Sequence, residues 1–344
     1  MQYEITNPGP LLDGDGHLNE AGYARRLIRD YDRESVKAPR LRIKEWDYYY
    51  AGNDKYGIAL TVADNSYMGL LSASVLDFTK PWQHTASKII WFTRGSIGLP
   101  ASSVKGDVHA ESNGIHFSFQ NDGVSRNITC GYKNFRKGMD FECDITLREI
   151  LDDSMVIATP FPGKPKYFYY NQKINCLTAE GTAKLGSGLF TFNPNDSFGV
   201  LDWGRGVWTY NNTWYWASAS GMVQGSPFGF NFGYGFGDTK KATENMLFYQ
   251  GKAHKLGEVA FEIPKTRAGK FDYTGKWRIV SNDARVNLSF TPVIDRYANT
   301  NALVIQSKQH QVFGRFDGEV IPDDGSSLGI TGLTGFAEQV HNRW

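Results

Sequence analysis

The chain has 344 residues, with 37 lysines and arginines against 36 aspartates and glutamates, so its formal net charge at pH 7 is +1. This near-equality of positive and negative charges excludes the strongly basic surface that nucleic-acid-binding domains carry. Charged residues make up 21% and hydrophobic residues 41% of the chain, which excludes a disordered protein.

The residue types favour β-structure. Aromatic residues make up 14% of the chain and there are 37 glycines, which is typical of strands joined by many turns. Residues 1–40 are rich in turn formers, with a short helix predicted at 19–29. From residue 42 onward hydrophobic and polar residues alternate, as they do in half-buried strands. The first half is predicted to contain strands at 58–63, 70–78, 88–93, 116–119, 124–132 and 140–147, with an Asp-Gly turn at 122–123.

A proline-rich segment divides the chain. Residues 158–166 contain three prolines and a glycine. Proline cannot donate a hydrogen bond to a strand ladder, so we expect a linker here. We therefore predict an N-terminal domain of residues 1–158 and a C-terminal domain of residues 159–344. Strands resume after the linker at 167–170, 173–179, 189–192, 213–220, 228–235, 245–249, 258–263, 277–281, 285–291, 302–312 and 333–344.

The segment 189–236 is especially rich in aromatic residues. Strand alternation puts Trp214 and Trp216 on one face, and it puts the phenylalanines of 228–236 on one face of the next strand. The opposite face of 228–236 carries glycines and Asn231. A glycine face leaves room beside the sheet, which a ligand or another backbone must fill.

The cysteines and the chain ends indicate where the protein acts. Cys130, Cys143 and Cys176 form no C-x-x-C pair, which excludes zinc-knuckle and thioredoxin-type spacings. No run of about 20 apolar residues could make a membrane helix, and residues 1–10 have no signal-peptide pattern. We therefore expect a cytoplasmic protein with no metal site, no integral membrane segment and no nucleic-acid partner.

Several motifs carry a family resemblance. They are Asp202-Trp203-Gly204-Arg205-Gly206, Trp214-Tyr215-Trp216, the Phe/Gly alternation of 230–238 and the terminal segment 335–344. With them the chain resembles the DUF2804 family of uncharacterised, mostly bacterial proteins, and more distantly the AttH-like and carotenoid 1,2-hydratase group. The resemblance implies an all-β fold of two lipocalin- or calycin-like antiparallel β-barrels packed together.

The resemblance also implies a chemistry. Some members of the more distant group hydrate, cyclise or isomerise terpenoid or polyketide substrates by acid catalysis, without a metal or a nucleotide cofactor. The histidine that precedes the Trp-Gly pair of the hydratases is absent, because Leu201 and Asp202 occupy its place. Hydratase chemistry is therefore not transferred directly.

Asp202 is the first candidate catalytic residue. A carboxyl group packed against the indoles of Trp203 and Trp208 would have a raised pKa and would keep a proton at neutral pH. The alternative is a structural pair of Asp202 and Arg205 that closes a tight turn, with the tryptophans in the core.

Two further residues complete the predicted catalytic set. Glu244 follows a turn and is a second carboxylate that could act as partner acid or base; the alternative is an exposed, turn-capping glutamate. His341 could shuttle protons. The alternative there is a terminal strand that seals a sheet, anchored by Arg343 and Trp344. The predicted substrate-binding residues are Trp203, Arg205, Trp208, Trp214, Trp216, Asn231 and Tyr234.

Three functions remain open at this point. The first is an enzyme that acts on an apolar or amphipathic small molecule such as a terpenoid, lipid or polyketide, by acid–base hydration, cyclisation or isomerisation without a cofactor. The second is a carrier of lipids or other apolar ligands with no turnover. The third is a carbohydrate-binding or carbohydrate-active protein, since tryptophans and amides also suit sugars. A closed cavity with a carboxyl of raised pKa would favour the enzyme.

Overall fold

The computed structural model describes residues 2–302 and 305–343. In this part of the chain there are 24 β-strands and two 3-10 turns, at Arg33–Ser35 and Arg40–Arg42, and no α-helix. The helix predicted at 19–29 is wrong, because residues 22–24 form a strand and no helical turn occurs in the segment. Trp344, the predicted anchor of the last strand, lies outside the described residues.

The first fifteen strands occupy residues 9–207. They are β1 (Gly9–Pro10), β2 (Gly22–Ala24), β3 (Arg29–Asp30), β4 (Ile43–Gly52), β5 (Tyr56–Asp64), β6 (Met68–Asp77), β7 (Trp82–Trp91), β8 (Val108–Ser112), β9 (Ile115–Asn121), β10 (Ser125–Arg136), β11 (Met139–Arg148), β12 (Met155–Phe161), β13 (Lys164–Leu185), β14 (Gly188–Phe192) and β15 (Phe198–Val207). All but β1 and β3 form one antiparallel sheet, whose main path runs β7-β6-β5-β4-β15-β13-β11-β10-β9-β8. A ring nitrogen of His84 lies 2.9 Å from the carbonyl oxygen of Phe135, which brings β7 against β10 and curves the sheet into a barrel.

The remaining nine strands form the second antiparallel sheet. They are β16 (Asn211–Val223), β17 (Ser226–Tyr234), β18 (Met246–Tyr249), β19 (Lys252–Lys255), β20 (Val259–Glu262), β21 (Trp277–Ser281), β22 (Val286–Ala302), β23 (Ile305–Val320) and β24 (Leu328–Arg343). The order is β19-β18-β17-β16-β24-β23-β22-β21-β20. The backbone N–H of Phe261 donates to the Tyr234 hydroxyl at 3.1 Å, which draws β20 towards β17. The expected all-β fold of two lipocalin-like barrels is confirmed.

The chain passes from one sheet to the other between β15 and β16. The proline-rich segment, where we placed the boundary between residues 158 and 159, instead lies in the β12–β13 hairpin of the first sheet. Pro160 is tolerated there because β2, the other neighbour of β12, pairs only with residues 156–158. A change of sheet at 208–210 carries no proline and so gives no such signal in the sequence.

Each barrel has its own hydrophobic core. Trp203 is fully buried in the first, where its ring meets Tyr31 and Tyr170 edge to face. The phenylalanine face predicted for β17 fills the second, where Phe230 and Phe232 stack with their centroids 4.3 Å apart. Two further apolar clusters lie between the sheets, and these clusters hold the barrels together.

Arg205 is buried with its charge paired. Its Nη2 donates to Asp47 Oδ1 at 2.9 Å, and its other hydrogen bonds go to the backbone carbonyls of Trp46, Gly204 and Pro100. Its guanidinium also lies 4.3 Å from the Trp203 ring centroid. Arg205 therefore holds strands of the first barrel together and is not placed to bind a substrate.

We predict a stability test for this ion pair. Arg205→Gln leaves the Asp47 carboxylate buried without a counter-charge, so the free energy of unfolding should drop by about 3–5 kcal/mol. The double variant Arg205→Met with Asp47→Leu buries no charge and should recover most of that loss. Chemical denaturation measures both values. A single variant as stable as the wild type would show that the pair contributes nothing.

Candidate functional site

A cavity of about 390 Å³ lies between the two sheets. One wall comes from β4 to β7, β13 and β15 of the first sheet, and the other comes from β16 and β22 to β24 of the second. The cavity is therefore outside both barrel interiors, and it exists only where the two barrels meet.

Strand alternation explains which side chains reach the cavity. On β4, Trp46 and Tyr48 line it, whereas Tyr49 points into the first barrel. On β16, Trp214 and Trp216 line it as the alternation predicts, whereas Ala217 belongs to the second core. Successive residues of a strand point to opposite faces, so each strand serves a barrel core and the cavity at once.

Aromatic rings form one side of the cavity. Trp46 stacks on Tyr169 with the ring centroids 6.2 Å apart, and it meets Trp208 edge to face at 5.3 Å. Phe236 contacts both Trp208 and Trp214, at 5.1 and 5.3 Å. The predicted strand around Phe236 ends at Tyr234, and this frees the Phe236 ring to enter the space between the sheets.

Asp202 lines the cavity as the partner of a lysine. Lys173 Nζ lies 2.9 Å from Asp202 Oδ1, and the Asn171 side-chain amide donates to the same oxygen at 2.6 Å. The Lys173 ammonium also lies 4.3 Å from the Trp216 ring centroid. The alternative of an Asp202–Arg205 pair in a tight turn is wrong, because both residues belong to β15 and their separation of three puts them on opposite faces.

Glu338 is a buried carboxyl group with several hydrogen-bond donors. The Trp214 indole N–H donates to its Oε1 at 3.1 Å, and the side-chain amides of Gln311 and Gln309 donate to its Oε2 at 3.0 and 3.3 Å. Its side chain is 3% exposed. Burial outweighs the donors, and it raises the pKa of Glu338 to about 7.

Glu244 is a second buried carboxyl group, so the exposed, turn-capping alternative is wrong. Its side chain lies over Gly233, where a Cβ atom would come within 2.5 Å of Glu244 Cδ. Burial raises the pKa of Glu244, while the ammonium of Lys173 opposes the shift. Gly233 and Glu338 both pair with Trp216, one from each neighbouring strand. The two carboxyl groups therefore lie on either side of Trp216.

The other predicted site residues lie outside the cavity lining. Trp203 and Arg205 belong to the first barrel, as described above. Tyr234 stacks on Tyr215 with the ring centroids 4.5 Å apart and accepts the Phe261 N–H. His341 Nδ1 lies 2.8 Å from Thr213 Oγ1 on the face of β24 opposite to Glu338.

Asn231 supports the site from behind. Its side-chain oxygen accepts the Trp216 indole N–H at 2.7 Å, and its amide donates to the Glu244 backbone carbonyl at 2.7 Å. The glycine face that carries Asn231 is covered by the first sheet and by Glu244: a Cβ atom at Gly229 would lie 2.7 Å from Cys176 Sγ. The space beside the glycines is therefore filled by neighbouring parts of the protein and not by a ligand.

Sequence reasoning missed several residues of the cavity. Lys173, Arg296, Gln311 and Glu338 all line it, and none was assigned to the site. A signal for Glu338 is present in the sequence, since strand alternation puts residues 338 and 341 on opposite faces of the last strand. What was missing was the pairing of β16 with β24, which puts Glu338 beside Trp216.

Within residues 2–302 and 305–343, no three His, Cys, Asp or Glu side chains are grouped as metal ligands would be. No helix among the same residues has the length and apolar character that a membrane crossing requires.

Comparison with known proteins identifies a family and a shared fold. The model of the family described as "Domain of unknown function (DUF2804)" matches residues 2–344. No curated protein matches the chain significantly. Among solved structures, a putative AttH protein from Nitrosomonas europaea is 13% identical with a TM-score of 0.54, over 97% of this chain and 98% of that one.

Two other solved structures are similar over almost their whole length. Kievitone hydratase from Nectria haematococca is 12% identical with a TM-score of 0.51, over 97% of this chain and 98% of that one. CghA is 10% identical with a TM-score of 0.53, over 96% of this chain and 97% of that one. At such low identity the similarity shows a common fold.

The titration of Glu338 gives a prediction about stability. Its pKa rises from 4.5 to about 7 on folding, so between these values the folded state holds a proton that the unfolded state has released. The stabilisation from this group is complete below pH 4.5 and is lost as the pH rises through 7. Raising the pH across this window should therefore destabilise the wild type relative to Glu338→Gln, by on the order of 3 kcal/mol.

Denaturation curves at pH 5, 6 and 7 measure this difference. Glu319→Gln is the matched control, because Glu319 is an exposed carboxyl on β23 and should leave the wild-type slope unchanged. If the free energy of unfolding changed with pH by the same amount in the wild type and in Glu338→Gln, the raised pKa of Glu338 would be contradicted.

Proposed function

The chain belongs to the DUF2804 family, and we propose that it is an enzyme that binds an apolar or amphipathic small molecule between its barrels and transforms it by acid–base catalysis. The reaction class is hydration, cyclisation or isomerisation, and the substrate class is terpenoid, lipid or polyketide-like.

One observation carries this proposal: Glu338 has a pKa of about 7 and lines a cavity with an aromatic wall. A carboxyl group that titrates near neutral pH can both give and accept a proton under cellular conditions. Groups with such shifts that face a cavity are candidates for catalysis, whereas a simple carrier needs only the cavity.

The two buried carboxyl groups suggest a division of roles. Protonated Glu338 donates its proton to the bound molecule, and the carboxylate that remains is held by Trp214, Gln309 and Gln311. Glu244, on the other side of Trp216, accepts a proton in its carboxylate form, either from the resulting cation in an isomerisation or from water that adds to the cation in a hydration. The substrate gains one proton and loses one (or a water loses it), so each cycle carries one proton from Glu338 to Glu244. After product release, proton exchange with water returns both carboxyl groups to their starting states.

Asp202 and the tryptophans have supporting roles in this scheme. Asp202 is paired with Lys173, so we assign it the positioning of that ammonium group in place of the proton donation expected from the sequence. Trp214 is only half-buried, and its π electrons stabilise positive charge on the substrate. The face of Trp216 is taken by the Lys173 ammonium. His341 has no role in the proposal, because it lies on the other face of its strand.

The fold and the burial of the aromatic rings favour this function over the others. The chain shares its fold with a protein named kievitone hydratase, so the architecture is compatible with the hydration of a small molecule. A carbohydrate site needs exposed aromatic faces, but Trp208 and Trp216 are only 2% and 6% exposed. A carrier without turnover remains the alternative, and an experiment must distinguish it from the enzyme.

We predict that Glu338→Gln abolishes turnover while binding persists. An apolar extract of small molecules is incubated with the protein, and mass spectrometry follows both bound species and changes in the extract. The wild type and Glu319→Gln should convert a bound species. Glu338→Gln should bind the same species, with conversion at least about 100-fold slower.

The outcomes separate the proposal from its alternative. Binding without conversion by the wild type would identify a carrier. Equal conversion by Glu338→Gln would remove Glu338 from the mechanism. Failure of the wild type to bind any apolar species would overturn the proposal as a whole.

A further inference from the structure

Arg296 spans the cavity wall between the two sheets. It lies on β22, and its Nη1 donates to Ser74 Oγ of β6 at 2.8 Å. Its Nη2 donates to the side-chain oxygen of Gln311 on β23. These two bonds fix the guanidinium in place before any ligand arrives.

Arg296 differs from the other cation of the cavity in having no carboxylate partner. Lys173 is paired with Asp202, whereas the ion pairs among the residues that the structure describes do not include Arg296. Its two side-chain acceptors, Ser74 and Gln311, are neutral. Its Nε is buried and has no hydrogen-bond partner among the described residues.

An arginine in this state is prepared for an anion. The guanidinium has five N–H donors in a planar fork that matches a carboxylate, and it stays charged at any physiological pH. Arg296 is half-buried and its side-chain acceptors are neutral, so an anionic ligand gains a charge-assisted hydrogen bond there.

The surroundings of Arg296 relate this anion to the reaction. Gln311 accepts from Arg296 and donates to Glu338 at 3.0 Å, so one amide joins the arginine to the proposed proton donor. The opposite wall is aromatic, and Met68, Leu70 and Ile89 add apolar surface beside it. The cavity therefore offers one charged contact for one end of a molecule and apolar contacts for the rest.

We propose that Arg296 recognises an acidic oxygen of the ligand, so that the cavity selects molecules with an apolar body and one carboxylate, phenolate or enolate group. This inference rests on the proposed function, because it names the chemical class of the molecule that the cavity binds. It places the anionic end at Arg296 and the adjoining part of the molecule beside Glu338.

A matched pair of probes tests the proposal. 2-Naphthylacetic acid and 2-naphthylacetamide share a two-ring apolar body and differ in the charge of one group. At pH 6 the free acid is ionised, since its pKa is that of an ordinary carboxylic acid, about 4, while Glu338 with its pKa of about 7 is mostly protonated. Calorimetric titration gives the dissociation constant of each probe.

The wild type should bind the acid at least about tenfold more tightly than the amide, because charge-assisted hydrogen bonds are the stronger ones. Arg296→Gln should lose this preference and keep the wild-type affinity for the amide, which also shows that the cavity is intact. Arg296→Lys, which keeps the charge without the fork, should retain part of the preference. Arg315→Gln is the control, because Arg315 lies on β23 beside Asp54 and does not line the cavity.

Three results would overturn the inference. The wild type could bind both probes with equal affinity, or Arg296→Gln could keep the full preference for the acid over the amide. Either result removes Arg296 as the recognition group, while the cavity keeps its proposed function. Binding of neither probe by the wild type contradicts the apolar cavity itself, and the proposed function fails with it.

Discussion

The two sheets pack against each other through faces that carry charged and polar side chains. Each barrel has a core of its own, so the strand faces that point away from that core are buried only by packing against the other sheet. Asn175 shows how this is done: its side-chain amide on β13 donates to Ser218 Oγ and to the Phe230 carbonyl oxygen of the second sheet. Such bonds join the barrels at a fixed distance, and the cavity is the space that these contacts leave.

The electrostatics of the cavity follow from this arrangement. The opposing sheet buries these side chains, so ionisation of a carboxyl group there costs desolvation free energy unless a cation pairs with the group. Asp202 has such a partner in Lys173, while Glu338 has only neutral donors in direct contact. The difference between the two carboxyl groups therefore depends on the neighbouring strand within each sheet: Lys173 on β13 pairs with Asp202 on β15, whereas the hydrogen-bond partners of Glu338 on β16 and β23 are neutral.

The sequence is sufficient for some of these features and insufficient for others. Alternation correctly put Trp214 and Trp216 on one face and the β17 phenylalanines together on another, because the period of a strand is a local property. The pairing of distant strands is not local, and this is why Lys173 and Glu338 were missed. The predicted Asp202–Arg205 contact failed for a related reason, since it required a turn where the chain continues as a strand.

The same reasoning explains why the proline-rich segment lies inside the first sheet. Prolines such as those of 158–166 mark places where the hydrogen-bond ladder between strands is interrupted. Such an interruption occurs in a linker, but it also occurs at the edge of a sheet. The resemblance to a double-barrel family supplied the architecture that periodicity alone could not distinguish from a sandwich. Composition and motifs were therefore enough for the fold, while the site required the register of β13, β15, β16 and β24.

The charges that line the cavity couple ligand binding to protonation. Lys173 and Arg296 face Asp202, Glu244 and Glu338, so the lining has a net charge of −1 when all are ionised and +1 when both glutamates are protonated. An anionic ligand is repelled by the first state and attracted by the second. By linkage, binding of such a ligand must raise the proton occupancy of the two glutamates. The protonated form of Glu338 is the one that donates in the proposed reaction, so an acidic substrate would itself favour the donor form of Glu338, while the same repulsion opposes the ionised form of Glu244 that accepts.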